Sequence, residues 1–144
     1  MMSNDEYKKL YEGLSPRSPG YKNIPFAFLT GGGLCALAQL IKNLWLGTGL
    51  EETAASAMTS VSMIGLGVLL TALGLFGKIA RVAGAGTLVP ITGFANSISS
   101  AALEFKSEGF ITGTCVKMFT IAGPVLVFGI SASVLYGLIL YFLL

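Results

Sequence analysis

The residues of this sequence that could handle a solute form a polar stripe inside an apolar segment. We place residues 93–105 on a helix with about 100° between successive residues. Five polar or small residues then fall within roughly a quarter to a third of the circumference: Gly93, Asn96, Ser97, Ser100 and Glu104. Phe94, Ile98, Ala101 and Phe105 fall on the opposite side. The segment is therefore predicted to be an amphipathic helix whose polar side ends in a carboxylate.

Two interpretations of this stripe are open. In the first, Asn96, Ser97 and Ser100 line a hydrophilic path and Glu104 lies at its mouth. In the second, the small residues permit close helix packing and Asn96 bonds a neighbouring helix. Polar side chains at membrane depth are costly and face the protein interior, so both interpretations turn the stripe away from lipid.

The residues before the stripe cannot form an ordinary helix. Gly84, Gly86, Pro90 and Gly93 fall within ten residues, and proline removes a backbone donor and clashes with the preceding turn. Residues 82–103 are therefore not expected to be one straight helix facing lipid. Irregular backbone at membrane depth persists only when it is buried in protein or lines a wet cavity.

Residues 84–91, called the dip below, are followed by a helix terminus, which suggests the charge of a ligand that would bind there. Thr92 is predicted to cap the following helix, whose free N–H groups and positive dipole end would then point into the dip. Helix N-termini attract anions, so we expect an anionic solute to pass or pause there. The predicted lining adds dip residues to the stripe: Gly86, Thr87, Pro90, Thr92 and Gly93.

Other chemistry finds little support in the sequence. The chain has no histidine, which excludes histidine bases, Ser-His triads and histidine metal ligands. No nucleophile has a partner base, and no phosphate-binding loop is present. Cys35 and Cys115 stand apart in apolar segments, where packing is their usual role. We therefore expect neither an enzyme nor a metal or cofactor site.

Composition assigns the chain to the membrane. Hydrophobic residues make up 53% of its 144 residues, charged residues 11%, and the mean hydropathy is +0.77. A soluble domain carries about 25% charged residues, so the bilayer is the expected solvent and an all-α polytopic fold is predicted. The net charge is +2 without a basic run, which argues against a nucleic-acid partner.

Four uncharged stretches could enter the membrane, and a spanning helix needs roughly 20 apolar residues. They are 24–41, 53–77, 82–103 and 118–144. The first suffices if it continues to Leu46, with Lys42 snorkelling and Trp45 at the interface. The fourth contains Gly123-Pro124 and is predicted to be a kinked span. The prediction is three full spans and one broken segment.

The distribution of lysine and arginine addresses the path of the broken segment. If residues 82–103 dip in and return, eight of the nine cations lie on the inside with the N-terminus, and only Lys42 lies outside. If the segment crosses, Lys106 and Lys117 move outside and the split becomes six to three. The positive-inside rule favours the re-entrant path. Four full spans remain the alternative.

Residues 1–23 form a polar cytoplasmic head, and 24–144 a single transmembrane domain. The head is long for the start of a cleaved signal peptide, so the first apolar stretch is interpreted as a retained span. An amphipathic helix is predicted over residues 5–14, ended by breaks at Ser15-Pro16 and Ser18-Pro19-Gly20. Its apolar side would rest on the membrane surface or pack against the body of the protein: Tyr7, Leu10, Tyr11 and Leu14.

Three further polar residues have simpler interpretations. Gln39 lies deep in the first span, where a hydrogen bond to another helix is the commonest role of such a side chain. Glu51 and Glu52 are predicted to lie in a solvated loop after Gly47-Thr48-Gly49 rather than in a metal site.

A long central run carries a family resemblance. The sequence AGAGTLVPITGFANSISSAALEFKSEG at 83–109 resembles the signature of the SpoVAC/SpoVAEb family of spore membrane proteins. AFLTGGGLCALAQ at 27–39 and MFTIAGPVLVFG at 118–129 point to the SpoVAC branch of that family. The resemblance covers nearly the whole chain.

The resemblance implies a function that composition does not. Such proteins sit in the inner membrane of the forespore and spore. With a SpoVAD-like soluble subunit and a SpoVAEb-like membrane subunit, they are implicated in moving dipicolinic acid, with calcium, during sporulation and germination. A tension-gated channel of low selectivity and a scaffold for soluble subunits remain alternatives. The family carries no established catalytic residues over to this chain, and homo- or hetero-oligomers are expected.

Overall fold

The computed structural model describes residues 3–14, 19–88 and 90–143. Within those ranges the chain is helical and contains no strand, which confirms the all-α prediction. In chain order the helices are α1 Asn4–Leu14, α2 Gly20–Gly47, α3 Glu52–Ala72, α4 Phe76–Ala83, α5 Ala85–Leu88, α6 Ile91–Glu104 and α7 Val116–Leu143. A 3₁₀ turn at Phe105–Glu108 and a π turn at Phe110–Cys115 join α6 to α7.

Three helices among the described residues are long and apolar enough to cross a membrane, judged by length and composition. They are α2, α3 and the continuous helical stretch Phe110–Leu143, so the prediction of three full spans is confirmed. α2 begins at Gly20, directly after its N-cap Pro19, four residues before the predicted start. Pro124 lies inside α7, so the helix continues through Gly123-Pro124, as expected of a span.

The second apolar stretch, 53–77, forms the predicted span, but its helix ends before the stretch does. α3 stops at Ala72, and Gly74 takes the left-handed conformation with φ 68°. The Leu75 N–H donates to the Leu70 carbonyl over 2.9 Å, the six-to-one bond of a Schellman cap. A residue without a Cβ adopts this conformation freely, so a glycine ends the helix although the apolar composition continues.

The broken segment consists of α4, α5 and α6, called the hairpin below (residues 76–104). It is interrupted at Gly84, with φ 53°, and again at Pro90. The three helices have 8, 4 and 14 residues. Even α6 is only about 21 Å long at 1.5 Å per residue, whereas the hydrocarbon core is about 30 Å thick. No helix of the hairpin is long enough to span the membrane alone.

The hairpin doubles back beside α3. A Cβ built on Gly67 would lie 3.0 Å from the Thr92 carbonyl oxygen, and the Thr71 hydroxyl donates to Asn96 Oδ1 over 2.8 Å. Both contacts advance by four residues along α3 and by four along α6, so the two helices run in the same direction. The chain leaves α3 at Ala72, returns through α4 and α5 to the level of Gly67, and turns back in α6.

The core of this single chain is small. The buried apolar residues are Ala55, Met63, Phe76, Ala83, Ala95 and Ala101, and most come from α3 and the hairpin. Every described residue of α7 from Pro124 onward is exposed. An apolar helix without protein neighbours over that length suits contact with lipid or with other subunits.

The head forms the predicted helix, α1, from Asn4 to Leu14. α1 buries no residue, and its apolar side chains are exposed: Tyr7, Leu10, Tyr11 and Leu14. An exposed apolar face favours the membrane-surface role over packing on the body of the protein. The predicted breaks at Ser15-Pro16 and Ser18 lie outside the described residues.

Candidate functional site

The tip of the hairpin is seated against α2 where two glycines meet. A Cβ built on Gly31 would lie 3.5 Å from Gly86 Cα, an ordinary contact distance. A Cβ built on Gly86 would instead collide with Thr30 Oγ1 and the Ala27 carbonyl oxygen. Gly86 therefore has to lack a side chain for α5 to approach α2 this closely, and it belongs to the predicted lining.

A hydroxyl secures the same crossing. Thr30 Oγ1 donates to the Phe26 carbonyl over 2.7 Å and lies 3.5 Å from the Ala83 carbonyl at the end of α4. Thr87, on α5, is 3% exposed, and its hydroxyl donates to the Gly84 carbonyl over 3.1 Å. The hydroxyls at the tip are therefore satisfied by backbone carbonyls.

The predicted cap of α6 was wrong. Pro90 is the N-cap, with φ −67° and ψ 161°, and no side chain caps the helix. A proline has no N–H to satisfy and its fixed φ suits an extended entry to a helix, so the helix begins one residue before Thr92. Thr92 lies inside the first turn, is 4% exposed, and its hydroxyl has no hydrogen-bond partner.

Gly93 packs into the turn that it follows. Its N–H donates to the Pro90 carbonyl over 2.8 Å. A Cβ built on Gly93 would lie 2.6 Å from the Leu88 carbonyl oxygen and would also collide with the Thr87 carbonyl. The tip of the hairpin is thus held compact by two glycines, one facing α2 and one facing its own turn.

Asn96 and Ser97 have partners within the fold. Asn96 is half-buried and accepts the hydrogen bond from Thr71 on α3, as the helix-packing interpretation expected. The Ser97 hydroxyl donates to the Phe94 carbonyl over 2.8 Å. At the end of the stripe nearer the tip, the hydrogen bond between Asn96 and Thr71 therefore joins α6 to α3.

The end of the stripe farther from the tip is exposed. Ser100 is exposed, and its hydroxyl donates to the Ser97 carbonyl over 3.1 Å. Glu104 is exposed as well and forms no ion pair with any described residue. The structure thus brings Gly86, Thr87, Pro90, Thr92 and Gly93 together at the tip, while Ser100 and Glu104 extend away from it on the surface of α6.

A second polar face, on α3, escaped the sequence interpretation. Thr53, Ser56 and Ser60 fall within about 60° of Gly67 and Thr71 on a helical projection. α6 covers this face at Gly67 and Thr71, whereas Ser56 and Ser60 are exposed and donate to carbonyls four residues earlier. Their three- and four-residue spacing was a usable signal, but alanine and methionine around them diluted the polarity. We call Thr53, Ser56 and Ser60 the α3 hydroxyl face.

Gln39 does not bond another helix, which corrects the expectation for this residue. Its Nε2 donates to Asn43 Oδ1 over 3.0 Å. The two residues are one turn apart on the same exposed side of α2, so the amide of Gln39 is satisfied within its own helix.

Glu52 also differs from the expectation of a solvated loop. It is the first residue of α3, following the N-cap Glu51, and it pairs with Lys42 over 3.0 Å. The Lys42 side chain is 24% exposed and that of Glu52 is 78% exposed, so the pair is a surface ion pair worth at most about 1 kcal/mol. It joins α2 to α3 beside their connection. No described cluster of residues could hold a metal ion.

Two cations flank the hairpin on α4. Phe76 and Ala83 turn inward and are 4% and 1% exposed, while Lys78 and Arg81 are exposed on the other side. This arrangement follows from the strongly amphipathic sequence of α4. The positive charge on this exposed side of α4 would attract an anion rather than a cation.

Comparison with known proteins assigns the family. The model of the SpoVAC/SpoVAEB sporulation membrane proteins matches residues 23–139, which include α2 from residue 23, the whole of α3 and the hairpin, and α7 up to residue 139. The chain belongs to the SpoVAC/SpoVAEB family. One curated relative, the stage V sporulation protein AC of Bacillus subtilis (strain 168), is 41% identical over 136 residues, covering 94% of this chain and 91% of the relative. No solved structure matches the chain.

The SpoVAC/SpoVAEB assignment confirms the resemblance of the central run at 83–109. Together with the three long apolar helices, it identifies a multi-pass membrane protein of sporulation. The family is described as one of sporulation membrane proteins.

Proposed function

We propose that this protein is a channel subunit that moves dipicolinic acid, with calcium, across the spore inner membrane in sporulation and germination. The observation that carries the proposal is the interrupted hairpin packed beside two spanning helices. Its backbone is broken at Gly84 and Pro90, although a single spanning helix would have had a lower free-energy cost in the membrane. Such backbone at membrane depth fits a wall of a hydrated path better than a purely structural helix.

The walls of the path are two polar surfaces that lie at different depths, on either side of the level of the tip. One is the open part of the stripe on α6, at Ser100 and Glu104. The other is the α3 hydroxyl face, which continues beyond the tip where α6 no longer covers α3. Because α3 and α6 run in the same direction, these surfaces occupy successive depths along one side of the bundle.

One copy of the chain cannot close such a path, because both surfaces are exposed in the single chain. We propose that further copies, or a SpoVAEb-like membrane subunit, complete the wall. A SpoVAD-like soluble subunit would meet the cytoplasmic side, on which we propose that the N-terminal head lies. Polar residues at membrane depth face a protein interior or water, which both arrangements satisfy.

The topology that we propose is re-entrant, with the N-terminus on the cytoplasmic side. α6 runs back toward the end of α3 from which α4 departs, so both helices end toward the same side. Lys78 and Arg81 on α4 then lie on the side that holds most of the cations, as the positive-inside rule favours.

Dipicolinate is a small dianion at neutral pH, and the site offers it positive potential. The α6 N-terminus contributes a partial positive charge of about half an elementary charge, and Lys78 and Arg81 on α4 add positive charge on the side from which the hairpin enters. The sequence carries no nucleotide-binding motif. The subunit is therefore proposed to conduct passively or under the control of its partners.

Flux measured on purified protein in liposomes tests this function. We expect efflux of trapped dipicolinate well above that of a neutral solute of similar size, because the cations and helix terminus favour an anion. Empty liposomes are the control, and the two solutes are compared with and without osmotic tension. No dipicolinate efflux under either condition, even with the two partner subunits added, would contradict the proposal. Equal efflux of both solutes under tension alone would favour the tension-gated channel.

A further inference from the structure

A cavity of about 430 Å³ lies between α2, α3 and the hairpin. Its inner wall is formed by residues that are nearly fully buried: Met63, Phe76, Thr87 and Thr92 are 3%, 4%, 3% and 4% exposed. Protein interiors contain few voids larger than a water molecule. The space is open on one side, so a molecule from the surroundings of the protein can enter it.

The mouth of the cavity opens sideways, at the depth of the hydrocarbon core. Leu37, Leu69 and Ile79 line it and are 41%, 55% and 45% exposed. The contribution of α2 comes from Thr30 to Leu37, the middle of a helix that runs from Gly20 to Gly47. At that depth, the surroundings of a spanning helix are lipid acyl chains.

Water is a poor occupant because the lining offers it few partners. The Thr30 hydroxyl donates to the Phe26 carbonyl over 2.7 Å, and that of Thr87 to the Gly84 carbonyl. Only the Thr92 hydroxyl is without a partner, whereas a buried water typically makes about three hydrogen bonds. The remaining lining is dominated by leucine, methionine, phenylalanine and isoleucine side chains, which favour an apolar occupant.

We propose that one lipid acyl chain enters this cavity from the side and packs between α2, α3 and the hairpin. Its terminal part would lie against Met63 and Phe76, in contact with the elements that hold the tip in place. The consequence for gating rests on the proposed function: tension that thins the bilayer would withdraw the acyl chain from the cavity and loosen the packing of the hairpin. The acyl chain would thus couple membrane tension to conduction along the path.

Photoreactive lipids test the site without any measurement of flux. The full-length protein is reconstituted in phosphatidylglycerol–phosphatidylcholine vesicles containing a lipid with a diazirine at the end of one acyl chain, then irradiated and mapped by mass spectrometry. We expect adducts on Met63 and Phe76 although both are buried. Ala55 is 0% exposed, lies away from the cavity lining, and should stay unlabelled.

Two adjacent glycines on α2 provide a matched pair of variants. Gly33 lines the cavity and Gly32 does not, and a Cβ at either meets no atom within 4 Å. Gly33→Leu should occupy part of the cavity and lower the labelling of Met63 about tenfold, because the added side chain takes the space that an acyl chain would need. Gly32→Leu should leave the labelling unchanged.

Three results would overturn the proposal. One is labelling confined to Leu37, Leu69 and Ile79 in the unmodified protein, which would show that chains stop at the mouth. Another is equal labelling of Met63 in Gly33→Leu and the unmodified protein. The third is the absence of labelling at the mouth residues as well as at Met63 and Phe76, which would mean that lipid does not reach this surface and that a second copy covers it. Each result stands whether or not the protein conducts dipicolinate.

Discussion

Gly86→Ala should abolish dipicolinate flux while the protein still inserts into the membrane. The added methyl group would collide with Thr30 Oγ1 and the Ala27 carbonyl and would lie 3.0 Å from the Gly31 nitrogen. Two of these three atoms belong to the α2 backbone, so the conflict cannot be relieved by a rotamer change alone. Overpacking of this kind costs about 1–3 kcal/mol, enough to unseat the four-residue helix α5 from α2.

The reverse substitution at the same crossing is the control. A Cβ on Gly31 would lie 3.5 Å from Gly86 Cα and from the Gly86 carbonyl oxygen, so Gly31→Ala should retain flux. Both variants are reconstituted at equal protein density and compared by dipicolinate efflux from liposomes. Equal efflux from the two variants would mean that the seating of the tip on α2 does not govern conduction.

Gly93→Val is expected to have the second largest effect on flux, because the valine side chain would push α6 away from the turn between α5 and α6. Its Cβ would lie 2.6 Å from the Leu88 carbonyl oxygen and 2.9 Å from the Leu88 carbonyl carbon. These atoms are backbone, so the turn between α5 and α6 must open and displace the polar stripe. We expect flux to fall to the level of empty liposomes and the yield of inserted protein to stay the same.

Gly123→Val controls for the effect of a β-branched residue in a membrane helix. Gly123 lies inside α7, and a Cβ there meets nothing within 4 Å. This variant should conduct as the unmodified protein does. If Gly93→Val also conducts normally, the compact tip is not part of the path.

The broad architecture was predictable because it depends on composition over long windows. Runs of about 20 apolar residues specify spanning helices in a bilayer, and the glycines and Pro90 exclude one straight helix over residues 82–103. The end of α3 was not predictable from hydropathy, since the residues around Gly74 are as apolar as the helix before them. There a single left-handed glycine, rather than polarity, determines the boundary.

The candidate site was only partly readable from the sequence. Helical spacing identified the stripe on α6, but it could not choose between packing and lining for each residue. In the structure this choice differs along one helix: Asn96 bonds Thr71 on α3, while Ser100 and Glu104 stay exposed. Such partners depend on how α3 and α6 are aligned, which no periodicity within one segment encodes.

Thiol accessibility tests the central claim, that the α3 hydroxyl face and the exposed end of the α6 stripe border water. Single cysteines replace Ser56, Ser60 and Ser100 in a background with Cys35→Ala and Cys115→Ala, and react with a membrane-impermeant thiol reagent in vesicles. Val61 and Leu103 are the controls, since they are 62% and 51% exposed but apolar. The account predicts rapid modification at the three serine positions and slow modification at the two controls. Equally slow modification at all five positions would contradict it, since both polar surfaces would then face lipid or packed protein.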